Sequence, residues 1–318
     1  MVAAMQLVAY YCTQMPTQAR LLVGLGLAAT RKLLEKVREA TQQRELASIA
    51  QKRLDSSCSL QASRVLITGS TRGIGLALAH AFARHGARVA VHGRSVAQAR
   101  STAAQLCSAL GEGSRAVGLG ADLSLPGSGK RLVEHCIETL KGLDIVINNA
   151  AIHSPQRKAI WATSCEEMHE VINVNLLAPF EICAAASGSM RERGVAGRII
   201  NISTGAARPQ NVSDNGIATY AVSKFGLEAM SAFLAAENAD ITVSTLRPDT
   251  IDTDMVAPLF PLDHRLRMLP AQSVVPAVLY LATAPRAEVH GKVFEQLQLV
   301  EQLAREQRVQ SAALSGFG

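Results

Sequence analysis

The chain has 318 residues, 48% hydrophobic and 18% charged, which excludes a disordered chain and leaves length for one large domain or two small ones. The formal net charge of +6 is modest and spread out. Basic residues do not alternate with aromatics in any groove-like run, so no nucleic-acid partner is expected.

Residues 1–34 contain no Asp or Glu, and their only charges are Arg20, Arg31 and Lys32. Gln6, Gln14, Pro16, Gln18 and Arg20 interrupt the apolar runs, so no clean span of ~20 apolar residues forms. Two readings stay open: an organelle transit peptide, mitochondrial or plastid, or a helical extension packing on the domain or on a membrane surface. Membrane contact is expected only through this extension. Residues 31–54 read as an amphipathic helix, with Leu33, Leu34, Val37, Leu46 and Ile49 on one side. Asp55-Ser-Ser-Cys-Ser59 reads as the linker that ends it.

From Arg64 the pattern changes. Val65-Leu-Ile67 predicts a strand, Thr68-Gly69-Ser70-Thr71-Arg72-Gly73-Ile74-Gly75 a tight loop, and Leu76–Phe82 a helix. Strand, glycine turn and helix are what a dinucleotide pyrophosphate requires. Gly69 permits the turn, Gly73 the close approach of backbone to phosphate, and Gly75 the packing of helix on strand. The helix N-terminus offers free N–H groups to the anion.

The second strand is Arg88-Val-Ala-Val91, ending His92-Gly93-Arg94. An NAD site places a carboxylate near this end for the ribose 2′-hydroxyl. Here Gly93 and Arg94 stand there instead, and Arg94 with Arg72 could flank a 2′-phosphate. NADP(H) is therefore expected over NAD(H). A helix over 95–110, a strand over 115–119, a helix over 130–141 and a strand over 144–147 follow. Asp122, just past the third strand, either binds the adenine amine or caps the next helix. The alternation implies an α/β fold with a doubly wound parallel sheet, Rossmann-like, and an added N-terminal helical extension. Domain bounds are expected at 1–61 for the extension, 62–295 for the dinucleotide-binding domain and 296–318 for a helical tail. A late helix is expected over 274–284 and a last strand over Val289–Phe294.

Downstream, Tyr220-Ala-Val-Ser-Lys224 sets a phenol and an ammonium one helical turn apart on one face. The ammonium lowers the cost of a phenolate, so the tyrosine becomes a usable proton donor or acceptor. The six cysteines (Cys12, Cys58, Cys107, Cys136, Cys165, Cys183) are scattered, with no CxxC and no metal-ligand spacing. They read as reduced thiols, which points to the cytoplasm or another reducing compartment, and no metal is expected.

Taken in order, TGSTRGIG at 68–75, DL at 122–123, NNAA at 148–151, INVNLL at 172–177, INIST at 200–204, YAVSK at 220–224 and RPDTIDT at 247–253 resemble the short-chain dehydrogenase/reductase family over residues 63–295. The resemblance implies that Tyr220 is the proton donor/acceptor and that Lys224 binds the nicotinamide ribose and lowers the tyrosine pKa. It implies that Asn175 holds a water linking the lysine to solvent. The turn after strand four supports the cofactor through Asn149 and Ala150, as does Leu123 beside Asp122. Pro248 leads to Thr253, which lies near the carboxamide. The family usually carries a catalytic serine where Thr204 stands; Thr204 is expected to take that role, with Ser203 as the other candidate. Ala151 and Asp249 replace family glycines, and the loop Arg208–Gly216 is longer than the family's.

The implied activity is hydride transfer between NADP(H) and a carbonyl or secondary alcohol on a small molecule, with a fairly apolar ketone or aldehyde expected. The apolar residues Met255, Val256, Leu259, Phe260, Leu262, Leu266 and Met268 form the segment that serves as a lid in this fold. A homo-oligomer is expected. The alternative is a reductase-like protein that binds NADP(H) with little or no turnover and acts in assembly or sensing; a non-redox isomerisation or dehydration is the third reading.

Overall fold

The computed structural model describes residues 17–111, 115–154, 157–205, 207, 216–260, 262–265 and 268–315. The first sixteen residues, most of the long loop at 208–215, and Leu266 and Arg267 of the lid lie outside them. The chain divides into two units, residues 1–43 and 44–318. Of the first, the described part is the start of one long helix, α1 (Thr17–Ser57).

The second unit alternates strand and helix as the sequence predicts: β1 (Arg64–Ile67), α2 (Gly73–Arg84), β2 (Arg88–Gly93), α3 (Val96–Leu110), β3 (Arg115–Gly120), α4 (Ser128–Leu140) and β4 (Ile145–Asn148). Helix α5 (Cys165–Ile172) runs through a π turn at Asn173–Leu177 into α6 (Ala178–Glu192). Then come β5 (Arg198–Ile202), α7 (Ala218–Glu237), β6 (Thr242–Arg247), α8 (Val275–Thr283), β7 (Val293–Glu295) and α9 (Gln296–Ser315). The seven strands lie in the order β3-β2-β1-β4-β5-β6-β7, all parallel. The order reverses between β1 and β4, which opens a crevice at their carboxyl ends.

Both faces of the sheet are covered, so the strands read as continuous apolar runs. Val65, Ile67, Val89, Val91, Ile145 and Ile147 face one core with α2, α3, α8 and α9. Leu66, Ala90 and Val146 face the other with α4, α6 and α7. Leu46, Ala50 and Leu54 of α1 and Leu299, Val300 and Leu303 of α9 are buried in the first core. Both flanking helices thus contribute apolar surface to the same core as the sheet.

Three sequence expectations need correction. Helix α1 begins at Thr17, well before residue 31. At its other end Asp55–Ser57 continue the helix, where a linker was expected, because the Ser56 and Ser57 hydroxyls donate back to the Arg53 carbonyl at 2.7 and 2.9 Å. The last strand is Val293–Glu295, not Val289–Phe294. Val289 closes a short helix over Arg286–Val289 and is fully buried, and Gly291 at φ +70° turns the chain into β7. An apolar run alone does not separate a buried helical turn from a strand.

One buried side chain fixes the carboxyl edge of β1, β2 and β3 together. The Gly69 N–H donates to His92 Nδ1 at 3.1 Å, so that nitrogen carries no proton. His92 Nε2 then carries it and donates to the Ala121 carbonyl, also at 3.1 Å. The ring is a neutral tautomer held at both ends, and burial pushes its pKa down to about 4. A histidine with a lowered folded-state pKa stabilises the fold fully above its ordinary value of 6.5 and loses that stabilisation as pH falls toward 4. His92→Asn offers Gly69 an amide oxygen that does not titrate. Between pH 7 and pH 4 the wild-type chain should therefore lose about 3 kcal/mol more unfolding free energy than the variant. Urea denaturation of both proteins across that range measures the difference; parallel curves would refute the assignment.

Candidate active site

The glycine loop is built by close backbone packing. A Cβ on Gly75 would stand 2.3 Å from the Gly69 carbonyl, and one on Gly69, at φ +62°, 2.9 Å from Ala150 Cα. Asn149 braces the loop, its amide nitrogen donating to the Thr68 and Gly69 carbonyls at 2.9 and 3.2 Å. The Thr68 hydroxyl accepts the N–H groups of Asn149 and Ala150, both at 3.0 Å. Helix α2 opens just after Arg72 with no side-chain cap, which leaves its first N–H groups for an anion. Thr253 Cγ2 would touch a Cβ on Gly73 at 3.4 Å, so the segment after β6 meets the loop here. Pro248, at the head of that segment, is buried.

Several residues of the predicted cofactor set are scaffold. The Ser70 hydroxyl is buried and donates to the Ile67 carbonyl at 2.7 Å. Ile74 packs on one core and Leu123 lies inside the other. Ser70 and Leu123 turn their side chains inward, and Ile74 is partly buried against its core. Asp122 does not cap the next helix: its carboxylate takes the Ser124 N–H and hydroxyl at 3.0 and 2.7 Å, while α4 begins at a left-handed Gly127. Those two bonds, with a smaller pull from Arg94, hold the Asp122 carboxyl below its ordinary range.

At the end of β2 a Cβ on Gly93 would stand 2.7 Å from Thr71 Cγ2, so no larger side chain fits without the threonine shifting. Arg94 and Arg72 are both exposed. Arg72 lies 3.7 Å from Asp254, a contact weak in water.

The second half of the crevice gathers on β5 and α7. Tyr220 and Lys224 share a face of α7, with Lys224 Nζ 5.9 Å from the Tyr220 ring centroid. Lys224 is only 2% exposed and donates to the Ile202 carbonyl at 2.8 Å. Adjacent residues at the end of β5 point opposite ways. The Thr204 hydroxyl is hydrogen-bonded to Tyr220, whereas Ser203 donates to Glu228 Oε1. The geometry thus puts Thr204 on the phenol and turns Ser203 away from it.

The expected lowering of the tyrosine by the lysine is not what the chain itself sets up. Burial pushes Tyr220 up to about 12, with Thr204 pulling the other way. Burial pushes Lys224 down to about 8, with Glu228 opposing it. Asn175 sits fully buried in the π turn between α5 and α6, a feature frequent at functional sites. Its amide donates to the Ile152 carbonyl and Ser223 hydroxyl at 2.8 and 3.0 Å and accepts the Ile152 N–H at 2.9 Å.

The rim comes from the segments after β4 and β6. The Arg157 guanidinium sits 4.7 Å over the Phe260 ring, and Phe260 stacks on His264 at 6.3 Å. The ring nitrogens of His153 face the carbonyls of Ser154 and Met255. Met268 is buried. Asp249 is exposed and accepts its own neighbour's N–H, from Thr250, while its N–H is taken by Gln296 at 3.0 Å.

His153, Arg157, Glu228 and Arg247 were not singled out from the sequence. Two carried a local signal, Glu228 four residues after Lys224 and Arg247 directly before Pro248 in the 247–253 motif; His153 and Arg157 reach the site through tertiary contacts. Among the described residues, no group of three or more His, Cys, Asp or Glu is placed to hold a metal, and Cys58, Cys107, Cys136, Cys165 and Cys183 are free thiols.

The fold recurs in known proteins. The chain is 33% identical over 202 residues to 1-deoxy-11-beta-hydroxypentalenate dehydrogenase of Streptomyces arenae, covering 62% of this chain and 70% of that one. It is 34% identical over 201 residues to NADPH-dependent aldehyde reductase 2, chloroplastic, of Arabidopsis thaliana, covering 60% and 72%. Among solved structures it is similar to a short chain dehydrogenase from Burkholderia cenocepacia J2315 in complex with NADP, with TM-score 0.64 and 29% identity over 74% of this chain and 96% of that one. The short chain dehydrogenase family profile matches residues 63–263. With its glycine crevice and its paired tyrosine and lysine, the chain belongs to the short-chain dehydrogenase family of oxidoreductases.

Proposed function

We propose that the chain is an NADP(H)-dependent carbonyl reductase or alcohol dehydrogenase acting on a fairly apolar ketone or aldehyde. The observation that carries this reading is the Thr204–Tyr220 hydrogen bond beside a buried Lys224, at the carboxyl edge of a sheet whose β1 end forms a phosphate cradle. The cradle fits a dinucleotide: Gly69, Gly73 and Gly75 leave no Cβ in it, and α2 presents uncapped N–H groups. Gly69, Thr71, Arg72, Gly73 and Gly75 would hold the pyrophosphate side. Asn149, Ala150, Pro248, Thr253 and Lys224 would lie along the nicotinamide end. When bound, the cofactor supplies the hydride.

The chain's own residues then handle the proton. The Tyr220 hydroxyl protonates the oxygen of the carbonyl under reduction, and the Thr204 hydroxyl positions that oxygen. The Lys224 ammonium offsets negative charge as the phenol gives up its proton, and Asn175 would hold a water that links the lysine to solvent. Met255, Val256, Leu259 and Phe260 suit an apolar substrate body. The reading of NADP over NAD rests on Gly93, Arg94 and Arg72, and it agrees with the NADP complex and the NADPH-dependent relative above. Exposed Leu177 at the end of the π turn, Phe180 of α6, and Phe225 and Phe233 of α7 support a homo-oligomer. The free thiols suit the cytoplasm; a plastid is the other compartment, since two relatives are named chloroplastic.

NADPH oxidation followed optically against a panel of ketones and aldehydes tests the activity. Turnover on at least one apolar carbonyl is expected; tight NADPH binding without turnover on any would favour the binding-protein reading. Tyr220→Phe should lower kcat by about 10²- to 10⁴-fold and leave NADPH binding, read by fluorescence, nearly intact. A variant with full activity would overturn the assigned proton donor. Arg94→Asp should cost NADPH at least about tenfold in kcat/KM and spare NADH; equal losses with both cofactors would remove Arg94 from the 2′-phosphate site.

A further inference from the structure

Three separate arms carry the proposed site. Thr204 follows β5, Tyr220 and Lys224 ride on α7, and Pro248–Thr253 follow β6. One carboxylate touches all three. Glu228 lies one turn beyond Lys224 on α7, with its side chain 11% exposed. Its Oε1 accepts the Ser203 hydroxyl, next to Thr204, and Arg247 Nε at 2.8 Å. Its Oε2 accepts Arg247 Nη2 at 2.6 Å. Arg247, directly before Pro248, spends its remaining arm on Glu295 of β7 at 2.9 Å.

We infer that Glu228 is a positioning residue for hydride transfer: its carboxylate sets the three arms in register and keeps the buried Lys224 protonated. This rests on the reading of Lys224 as the cationic group of the proposed site. Taking an ammonium out of water favours its neutral form unless an opposite charge stands nearby. The Ile202 carbonyl supplies only a dipole. Of the titratable groups around Lys224, Tyr220 lies beside it and Glu228 on the same helix raises its proton affinity; Glu228 is paired with Arg247 of β6, and Arg247 with Glu295 of β7. The trio Glu228, Arg247 and Glu295 carries a net charge of −1 by formal count, and removing Glu228's charge leaves Arg247 half paired and the trio neutral. Lys224 then faces less negative charge and loses its proton more easily. A lysine with a lowered folded-state pKa is charged below that pKa and neutral above it, so the high-pH limb of activity moves to lower pH.

The test follows Lys224 directly, by NMR titration of isotope-labelled lysine Nζ in the full chain without cofactor, with Lys224→Gln identifying the signal. Glu228→Gln should lower the midpoint by about one pH unit, and the high-pH limb of kcat/KM should move with it. Glu228→Asp keeps the charge but shortens the reach to Arg247. It should hold the midpoint within about half a unit while kcat falls severalfold and KM for NADPH stays. An unchanged midpoint in a folded Glu228→Gln protein would overturn the inference, as would full kcat in Glu228→Asp should Glu228→Gln fail to fold. If no substrate turns over yet the midpoint follows the charge at 228, the proposed function falls and the electrostatic role of Glu228 stands.

Discussion

A buried ammonium at the carboxyl edge of the sheet is costly to hold out of water, and much of the local structure answers to it. Lys224 has exchanged water for one carbonyl at 2.8 Å, which cannot replace a hydration shell. The fold compensates with charge one turn away. Glu228 raises the lysine's proton affinity and would itself be unfavourable there alone; Arg247 pairs it bidentately, and Glu295 takes the guanidinium's other arm. Such a cluster contributes little net stability compared with apolar packing. Its value lies in what it joins, namely the ends of β5, β6 and β7 and the middle of α7.

Uncharged amides do the same work on the other side of the crevice. Asn148 at the end of β4 donates to Asn201 of β5 at 2.8 Å, and Asn201 donates to Ser231 of α7 at 2.7 Å. Asn175 in the π turn reaches both the segment after β4 and Ser223 of α7. Parallel strands have their carboxyl ends at one edge by construction. These cross-element bonds convert that alignment into fixed positions, so that the hydroxyl of one element meets the phenol of another.

The strand–loop–helix grammar of 64–148 was legible because each signal is local: apolar runs of strand length, glycines at a turn, helical spacing after it. The same holds for Tyr220 and Lys224. What the sequence left open were questions of facing. Ser203 and Thr204 are equivalent as hydroxyls; only the strand's alternation, read against the positions of Glu228 and Tyr220, separates them. Val289 was assigned to a strand because a buried helical turn carries the same apolar residues. His92 gave no signal, since its role depends on Gly69 and Ala121 arriving from different strands.

The proton affinities set the resting state of the proposed site. In the chain alone, burial holds the phenol near 12 and the lysine near 8. At neutral pH both are then protonated, which is the state needed to give a proton to a reduced carbonyl. Oxidation of an alcohol would need the phenolate, which burial disfavours and the Lys224 charge favours only while the lysine keeps its proton. Raising pH to form phenolate would remove that charge first, because 8 lies below 12. Burial thus sets the resting state of the pair in the chain alone: a protonated phenol beside a lysine whose charge Glu228 supports.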